Sequence, residues 1–458
     1  MTIVIPRKSE RRQPIYREIA DAIDREVQAG RARPGTRLPT QRALARQLGV
    51  TLTTVTRAYE EAQRRGLVAG EVGRGTFIQA QRGHEHTGPQ EESAVINLST
   101  NSLMPLAHAA ELVDHLATAV PRNASLEVLD YQPAAGAPRS RAAGATWMAR
   151  TGLDVSADRV LVTAGGQHGI LITLLTLTKP GDEILVEEFT YSNLRKLASQ
   201  LQLRLRPVRM DEQGLLPDAL DVACRAGAKS LYTIPTLQNP TTSVMSDDRR
   251  RDIAAVARKH GVLVIEDDVY AYLLPNVAPL TKYLPDDQAV YITSLSKSIV
   301  PGIRIGYVVA PSKLIEPLTA WISKTLIMAP AAMAEMANTL ITDGTAVRIV
   351  DWKRKEVAAR QEIVSRVLSG HRFQTHAYSP HVWFQLPDSW EAQALVSQAR
   401  QRGVRVTGAE NFAVDPEIPS RAIRLCLGPP RSRAVLEDAL RRLARIFEGV
   451  LEPNEVII

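Results

Sequence analysis

The sequence predicts two folded units in one chain: a small, mostly helical head closed by a β-hairpin, and a larger α/β body on a mainly parallel sheet. Three observations carry this. The chain has 458 residues, 45% hydrophobic and 23% charged, the composition of folded soluble protein and too long for a single core. From about residue 154 strand-like and helical stretches alternate, the pattern of parallel β-sheets with crossover helices. The net charge of +7 is unevenly placed: residues 1–80 hold 15 Lys and Arg against 8 Asp and Glu, and the remainder holds 41 of each. A basic excess confined to the head is expected where only that part meets a phosphate backbone.

In the head, Pro14-Ile15-Tyr16 opens a helical pattern with Ile19, Ala20, Ile23 and Val27 on one face, ended by Gly30. After a turn at Pro34-Gly35, Thr40 is the N-cap of a short helix carrying Leu44 and Leu48, closed by Gly49. A second helix begins near Thr51 and runs through Tyr59. This is the spacing of a helix-turn-helix, whose second helix enters the DNA major groove. Leu67-Val68 and Thr76-Phe77-Ile78, separated by the turn Gly73-Arg74-Gly75, form a wing. Residues 81–93 have no apolar period and read as a tether, with His84 and His86 as solvent-facing side chains and not as metal ligands.

In the body, strands are expected at Arg159–Thr163, Glu183–Val186, Ser230–Ile234, Val262–Ile265, Val290–Thr293 and Gly306–Ala310. Ligands of such sheets sit beyond the carboxyl ends of the strands, and the chemically loaded residues fall there. Lys297 follows Val290–Thr293 and is flanked by Ser294, Ser296 and Arg304. A lysine amine condenses with carbonyls. Hydroxyls and a guanidinium hold phosphate. Together they suit an aldehyde phosphate, and pyridoxal phosphate carries both groups. Gly165-Gly166-Gln167 opens a helix after a strand, where unpaired N–H groups and the helix dipole favour an anion. Asp267 can pair with a protonated pyridine nitrogen, although it is one of three adjacent acids with Glu266 and Asp268. Asn239 and Tyr270 can bond a ring oxygen, although Tyr270 also reads as core. His371, His376 and His381 read as ordinary surface or core histidines, and no metal site is expected.

Cys224 and Cys426 form neither a disulfide framework nor a zinc spacing, which fits a reducing cytosol and a cytoplasmic protein. No signal peptide or membrane span is expected. The most apolar run, starting at Gly169, is stopped by Lys179-Pro180-Gly181.

Residues 12–80 resemble the GntR-type winged helix. The likeness rests on Pro34-Gly35, Arg37-Leu38-Pro39-Thr40, Arg42, Leu44-Ala45, Leu48-Gly49-Val50-Thr51, Ala58-Tyr59 and Gly73 with Gly75-Thr76-Phe77. It implies that Arg37, Thr40 and Arg42 contact DNA phosphate or bases and that Thr51, Thr53 and Thr54 start the recognition helix. Arg74 and Gly75 would approach the minor groove. Leu52 stands where many relatives carry arginine, and can pack on a thymine methyl but not donate to guanine.

From about residue 95 the body resembles fold-type I pyridoxal phosphate (PLP) aminotransferases, most of all the aminoadipate and kynurenine branch. The resemblance implies that Lys297 forms the internal aldimine, Asp267 bonds the pyridine nitrogen, Asn239 and Tyr270 bond the 3′-oxygen, and Tyr191 stacks on the ring. Gly166, Gln167, Ser294, Ser296 and Arg304 would hold the phosphate, and Arg424 a substrate or effector carboxylate. Tyr131 would reach the phosphate of a neighbouring subunit, which requires a homodimer. Thr242 replaces the glycine common in Asn239-Pro240-Thr241-Thr242.

A GntR-type head on such a body is similar to the MocR subfamily of bacterial regulators. The expected fold is thus an N-terminal winged helix-turn-helix plus an α/β PLP-dependent transferase of fold type I. Its domains are residues 1–80, a linker at 81–94, and a body at 95–458. The large subdomain covers about 135–340, and the small one about 95–134 plus 341–458. The resemblance implies a regulator that binds double-stranded operator DNA and senses an amino acid or amine as an external aldimine. A working aminotransferase with an attached DNA-binding head is the alternative.

Overall fold

The computed structural model describes residues 14–28, 36–64, 67–71, 75–78, 95–102, 127–274, 276–387, 390–418 and 421–447. Arg74, the linker at 81–94 and residues 103–126 of the expected small subdomain lie outside these. The chain divides into two compact units, residues 1–91 and 92–458.

The head has three helices, α1 (Ile15–Gln28), α2 (Gln41–Leu48) and α3 (Leu52–Arg64), and a hairpin of β1 (Val68–Glu71) and β2 (Gly75–Ile78). Thr40 caps α2, its hydroxyl accepting from the Ala43 N–H at 3.2 Å. Gly49 ends it in the left-handed conformation at φ 61°, which a side chain would disfavour. Ile19, Ile23, Leu44, Val55, Ala58 and Ile78 form the core. The Tyr59 hydroxyl donates to the Pro39 carbonyl at 2.7 Å, and the Thr56 hydroxyl donates to Gln41 Oε1 at 2.8 Å. These two bonds fix α3 against α2 and the turn before it. Helix α3 is longer than the sequence pattern indicated, ending at Arg64 and not near Tyr59.

The body begins with β3 (Ile96–Asn97). Its central sheet comprises β4 (Val160–Thr163), β5 (Glu183–Glu187), β6 (Arg204–Val208), β9 (Ser230–Thr233), β10 (Leu263–Asp267), β11 (Ala289–Ser294) and β12 (Gly306–Val309), with a small hairpin of β7 (Met210–Asp211) and β8 (Gly214–Leu215) beside it. The sheet order is β4-β12-β11-β10-β9-β5-β6, and only β12 runs antiparallel to its neighbours. All six strands expected from sequence are present. Val160–Thr163, Ser230–Thr233 and Ala289–Ser294 are buried along their whole length, as strands covered on both faces must be.

The helices between strands carry their own start and stop signals. Helix Asp247–His260 is capped by Ser246 Oγ, closed by Gly261 at φ 63°, acidic in its first turn and basic in its last, matching the helix dipole. Helix Gly166–Leu177 is apolar on all sides because it lies between the sheet and helix Ser312–Leu326. No helix among the described residues is long and apolar enough to cross a membrane.

A second layer follows the long helix Thr345–Val367. It holds β13 (Phe373–Gln374), β14 (His381–Gln385), β16 (Thr407–Gly408) and β17 (Ala422–Cys426), in the antiparallel order β13-β14-β17-β16, while β15 (Val404–Arg405) pairs in parallel with β3. Val404–Arg405 and Thr407–Gly408 are therefore bonded to different partners on either side of Val406. Leu436, Leu440, Leu443 and Ile446 of the last helix pack into this core.

Helix Pro138–Ala149 approaches the sheet so closely that a Cβ on Gly144 would lie 2.5 Å from Tyr307 Cδ1. Gly144→Ala is expected to destabilise the body by about 1–3 kcal/mol in denaturant unfolding. Gly302→Ala, where nothing lies within 4 Å, should stay within about 0.5 kcal/mol of the parent. Equal stability for both variants would contradict the packing described.

Candidate functional site

The register Thr163–Gly306–Ser294 across β4, β12 and β11 brings strand ends and following loops to one edge of the sheet. A cavity of about 570 Å³ opens there. Gly166, Gln167, Tyr191, Asn239, Asp267, Tyr270, Ser294, Ser296, Lys297, Arg304 and Arg424 all line it. Tyr131 does not: it is 75% exposed in the segment before helix Pro138–Ala149.

One end of the cavity is built for an anion. Gly165, at φ 86°, turns the chain from β4 into the helix starting at Gly166, whose first N–H groups have no helical partners. Arg304 lies against this turn; a Cβ on Gly165 would meet its Nη2 at 2.7 Å. Its Nη1 donates to Ser296 Oγ and its Nη2 to the Ala164 carbonyl, both at 3.1 Å. Ser294 Oγ accepts from the Ser296 N–H at 3.2 Å. Gln167 Oε1 is buried with no partner.

The other end holds an amine and a carboxyl group. Burial, reinforced by the Arg424 and Arg304 guanidiniums, lowers the Lys297 amine to about 8, so about a tenth of it is neutral at pH 7. Its Nζ donates to the Asn101 carbonyl. Asp267 is the last residue of β10, which runs two residues beyond the end at Ile265 that the sequence indicated. Its Oδ2 accepts from the Tyr232 hydroxyl at 2.5 Å, while its Oδ1 is buried with no hydrogen-bond partner. Burial raises Asp267 to about 6, opposed by the Tyr232 hydrogen bond. The Tyr270 hydroxyl accepts from Asn101 Nδ2, and burial pushes this phenol upward.

Arg424, in the middle of β17, reaches in from the four-stranded sheet. Its Nη1 donates to Asn239 Oδ1 and its Nη2 to the Ser99 carbonyl, both at 2.7 Å. Its guanidinium lies 4.6 Å from the Phe412 ring centre, and its Nε is buried without a partner. Tyr191 accepts from Asn193 Nδ2 at 3.0 Å.

Ser99, Thr100, Asn101, Tyr232 and Lys196 were not anticipated as site residues. Tyr232 sits in a buried strand where a tyrosine fits without any chemical role, and its partner Asp267 is on the neighbouring strand. His381 is a core histidine as expected: it is fully buried, its Nε2 lies 3.0 Å from the Gln238 carbonyl, and burial lowers it to about 3. Among the described residues no cluster of His, Cys, Asp and Glu could hold a metal ion.

In the head, Arg37, Thr40, Arg42, Thr51 and Thr53 are exposed and Thr54 is half-buried. Thr51 and Thr54 hydroxyls bond each other at 2.8 Å at the start of α3. Thr40 is committed to its cap. Arg37 bridges to Phe77 of the wing, and Gly75 leaves room for its guanidinium, since a Cβ there would meet Arg37 Nε at 2.8 Å. Leu52 is 43% exposed at the first turn of α3.

Residues 93–443 match the family model for aminotransferase class I and II, and residues 15–78 match that for bacterial regulatory proteins of the gntR family. The chain is 30% identical to the uncharacterized HTH-type transcriptional regulator YdeF of Bacillus subtilis, over 96% of this chain and 95% of that one. It is 24% identical to the HTH-type transcriptional regulator TauR of Rhodobacter capsulatus, over 92% and 93%. Among solved structures, Pyrococcus horikoshii kynurenine aminotransferase superposes with a TM-score of 0.73 at 21% identity, covering 79% of this chain and 92% of that one. This likeness shows a fold-type I body. The chain thus belongs to the class I and II aminotransferase family and, through its GntR-type head, to the HTH-type transcriptional regulators of MocR-like architecture, with pyridoxal phosphate as cofactor.

Proposed function

We propose that this regulator binds duplex DNA as a cytoplasmic homodimer and that an amino acid or amine, captured in the Lys297 cavity, alters its DNA affinity. The observation that carries the reading is a single cavity holding a partly neutral lysine, an anion-binding turn and a buried arginine, in a chain that also has a winged helix. Pyridoxal phosphate fits the donors present. Gly166, Gln167, Ser294, Ser296 and Arg304 would hold its phosphate, and the unpartnered Asp267 Oδ1 would accept from its ring N–H. With Asn239 Oδ1 engaged by Arg424, the Asn239 amide hydrogens and the Tyr270 hydroxyl remain to bond its ring oxygen, and Tyr191 would cover its face. Bound there, the cofactor supplies an aldehyde for amines and a ring that withdraws electrons from the attached carbon.

Lys297 would serve as the nucleophile toward that aldehyde and, whenever its amine is free and neutral, as a base in the cavity. Arg424 would exchange its Ser99 contact for the ligand's carboxylate, which accepts two parallel bonds better than a carbonyl does. Tyr131, exposed and outside its own cavity, would complete the phosphate site of the partner subunit. In the head, Arg37 and Arg42 would neutralise phosphates, Thr40 would add a contact beside its cap, and Thr51, Thr53 and Thr54 would meet base edges or phosphates. Arg74 and Gly75 would reach the minor groove. Leu52 would favour a thymine methyl. An effector changes DNA affinity only through unequal binding to two states, commonly a factor of about 5–150.

Lys297→Ala is expected to abolish borohydride-trappable cofactor and the effect of amines on DNA affinity while leaving thermal unfolding of the head unchanged. A retained effector response would contradict the sensor reading. Covalent attachment of pyridoxal phosphate to the parent protein, followed by intact mass after reduction, should be about tenfold faster at pH 7 than at pH 6 and level off above about pH 9. A rise continuing beyond that point would mean an ordinary, unperturbed lysine. Arg42→Ala should weaken binding to all DNA sequences and lower the salt slope by about one, with cofactor content unchanged. Full affinity in that variant would remove Arg42 from the contact set.

A further inference from the structure

We infer that Ser99–Asn101 is a ligand-responsive strap, tied down while the Lys297 amine is free and released when that amine is consumed. The strap thereby transmits the state of the cavity toward the head. The inference deepens the regulator reading and rests on it.

Two residues of this segment, Ser99 and Asn101, engage three polar side chains of the site. The Asn101 carbonyl accepts from Lys297 Nζ, the Asn101 amide donates to the Tyr270 hydroxyl, and the Ser99 carbonyl accepts from Arg424 Nη2 at 2.7 Å. The strap owes its shape to Asn97, which does not line the cavity. Asn97 Oδ1 accepts from the Ser99 N–H at 2.8 Å, the Ser99 hydroxyl at 2.9 Å and the Thr100 N–H at 3.2 Å, and its Nδ2 donates to Thr100 Oγ1 at 3.1 Å. This side-chain turn directs the chain from β3 into the site. Upstream, the Ile96 and Leu98 N–H groups donate to the Gly403 and Arg405 carbonyls at 2.7 and 2.8 Å, fixing β3 to β15. In sequence, β3 is the first described element after residues 79–94, which join head to body.

The chemistry of Lys297 makes the tie conditional. When its amine condenses with the cofactor aldehyde, a carbon–nitrogen double bond forms, and both amine hydrogens leave with the aldehyde oxygen as water. Lys297 then keeps at most one hydrogen, for which the cofactor's own ring oxygen competes, and the Asn101 carbonyl loses its partner in a part-buried position, which is unfavourable. An incoming amine that takes over the aldehyde carbon returns the hydrogens to Lys297 and restores the tie. A ligand carboxylate on Arg424 competes separately with the Ser99 carbonyl.

Hydrogen exchange of the Leu98–Ser102 amides in the full-length protein tests this, with pyridoxal phosphate as the first probe and hydroxylamine, which removes the aldehyde from Lys297, as the second. Exchange is expected to be about tenfold faster once pyridoxal phosphate is attached and to return after hydroxylamine. Unchanged exchange on attachment would overturn the strap. Asn97→Ala should keep the bound cofactor's absorbance band yet lose the change in DNA affinity caused by any common amino acid that shifts that band. Asn97→Asp, which keeps the accepting oxygen, should restore that change. A full DNA response in Asn97→Ala would also overturn the strap. A strap that exchanges as expected in a parent protein whose DNA affinity no amino acid alters would instead overturn the regulator reading.

Discussion

Burial of the Lys297 amine is the constraint on which the rest of the body turns. A lysine buried here, beside the charges of Arg424 and Arg304, gives up its proton more readily than an exposed one. The sheet makes the burial possible. Its strands β9, β10 and β11 run parallel, so their carboxyl ends gather Tyr232, Asp267 and the Lys297 turn at one edge. The reversed strand β12 brings Gly306 back beside Gly165 and Gly166, which lets Arg304 rest on the anion-binding turn. Asp267 answers the same constraint from the opposite side: burial pushes it up and the Tyr232 hydroxyl, donating to it, pulls it back, leaving it at about 6.

The two layers of the body meet through polar contacts as well as apolar packing, with Phe189 5.5 Å from Trp383 between ring centres and Val350 and Val357 joining the core that holds Tyr270 and Leu273. Arg424 belongs to the four-stranded sheet yet bonds Asn239 of the large subdomain. His381, two register positions away on the adjacent strand, bonds the Gln238 carbonyl. A ligand that recruits Arg424 therefore acts at the contact between the two layers. Linkage makes the effect reciprocal: whatever factor an effector imposes on DNA affinity, DNA imposes on effector affinity.

Much of this was legible in the sequence where the signal is local. Thr40 and Gly49 bracket α2 because capping needs only a hydroxyl and a left-handed residue at fixed places. Lys297, with Ser294, Ser296 and Arg304 within eight residues, announces an amine beside a phosphate site. The contacts that sequence reading did not find join distant parts of the chain. Asn101 meets Tyr270 and Lys297 across 169 and 196 residues, and no periodicity in Asn97–Asn101 signals it. Strand β6 escaped for another reason: Arg204, Arg206 and Pro207 suit an edge strand, where one side needs no partner, and they blunt the apolar pattern of a buried one. Val406 shows a third limit, since an apolar alternation cannot reveal that neighbouring residues pair with different sheets.

The most direct test is to titrate the full-length protein with individual amino acids and amines, recording the cofactor absorbance and the affinity for operator DNA in the same samples. The expected result is one compound that shifts both with a single midpoint and leaves the cofactor in its aldehyde-derived form. A compound that converts the cofactor to its aminated form, reversed by a keto acid, with DNA affinity unchanged throughout, would contradict the account and mark the body as a working transaminase.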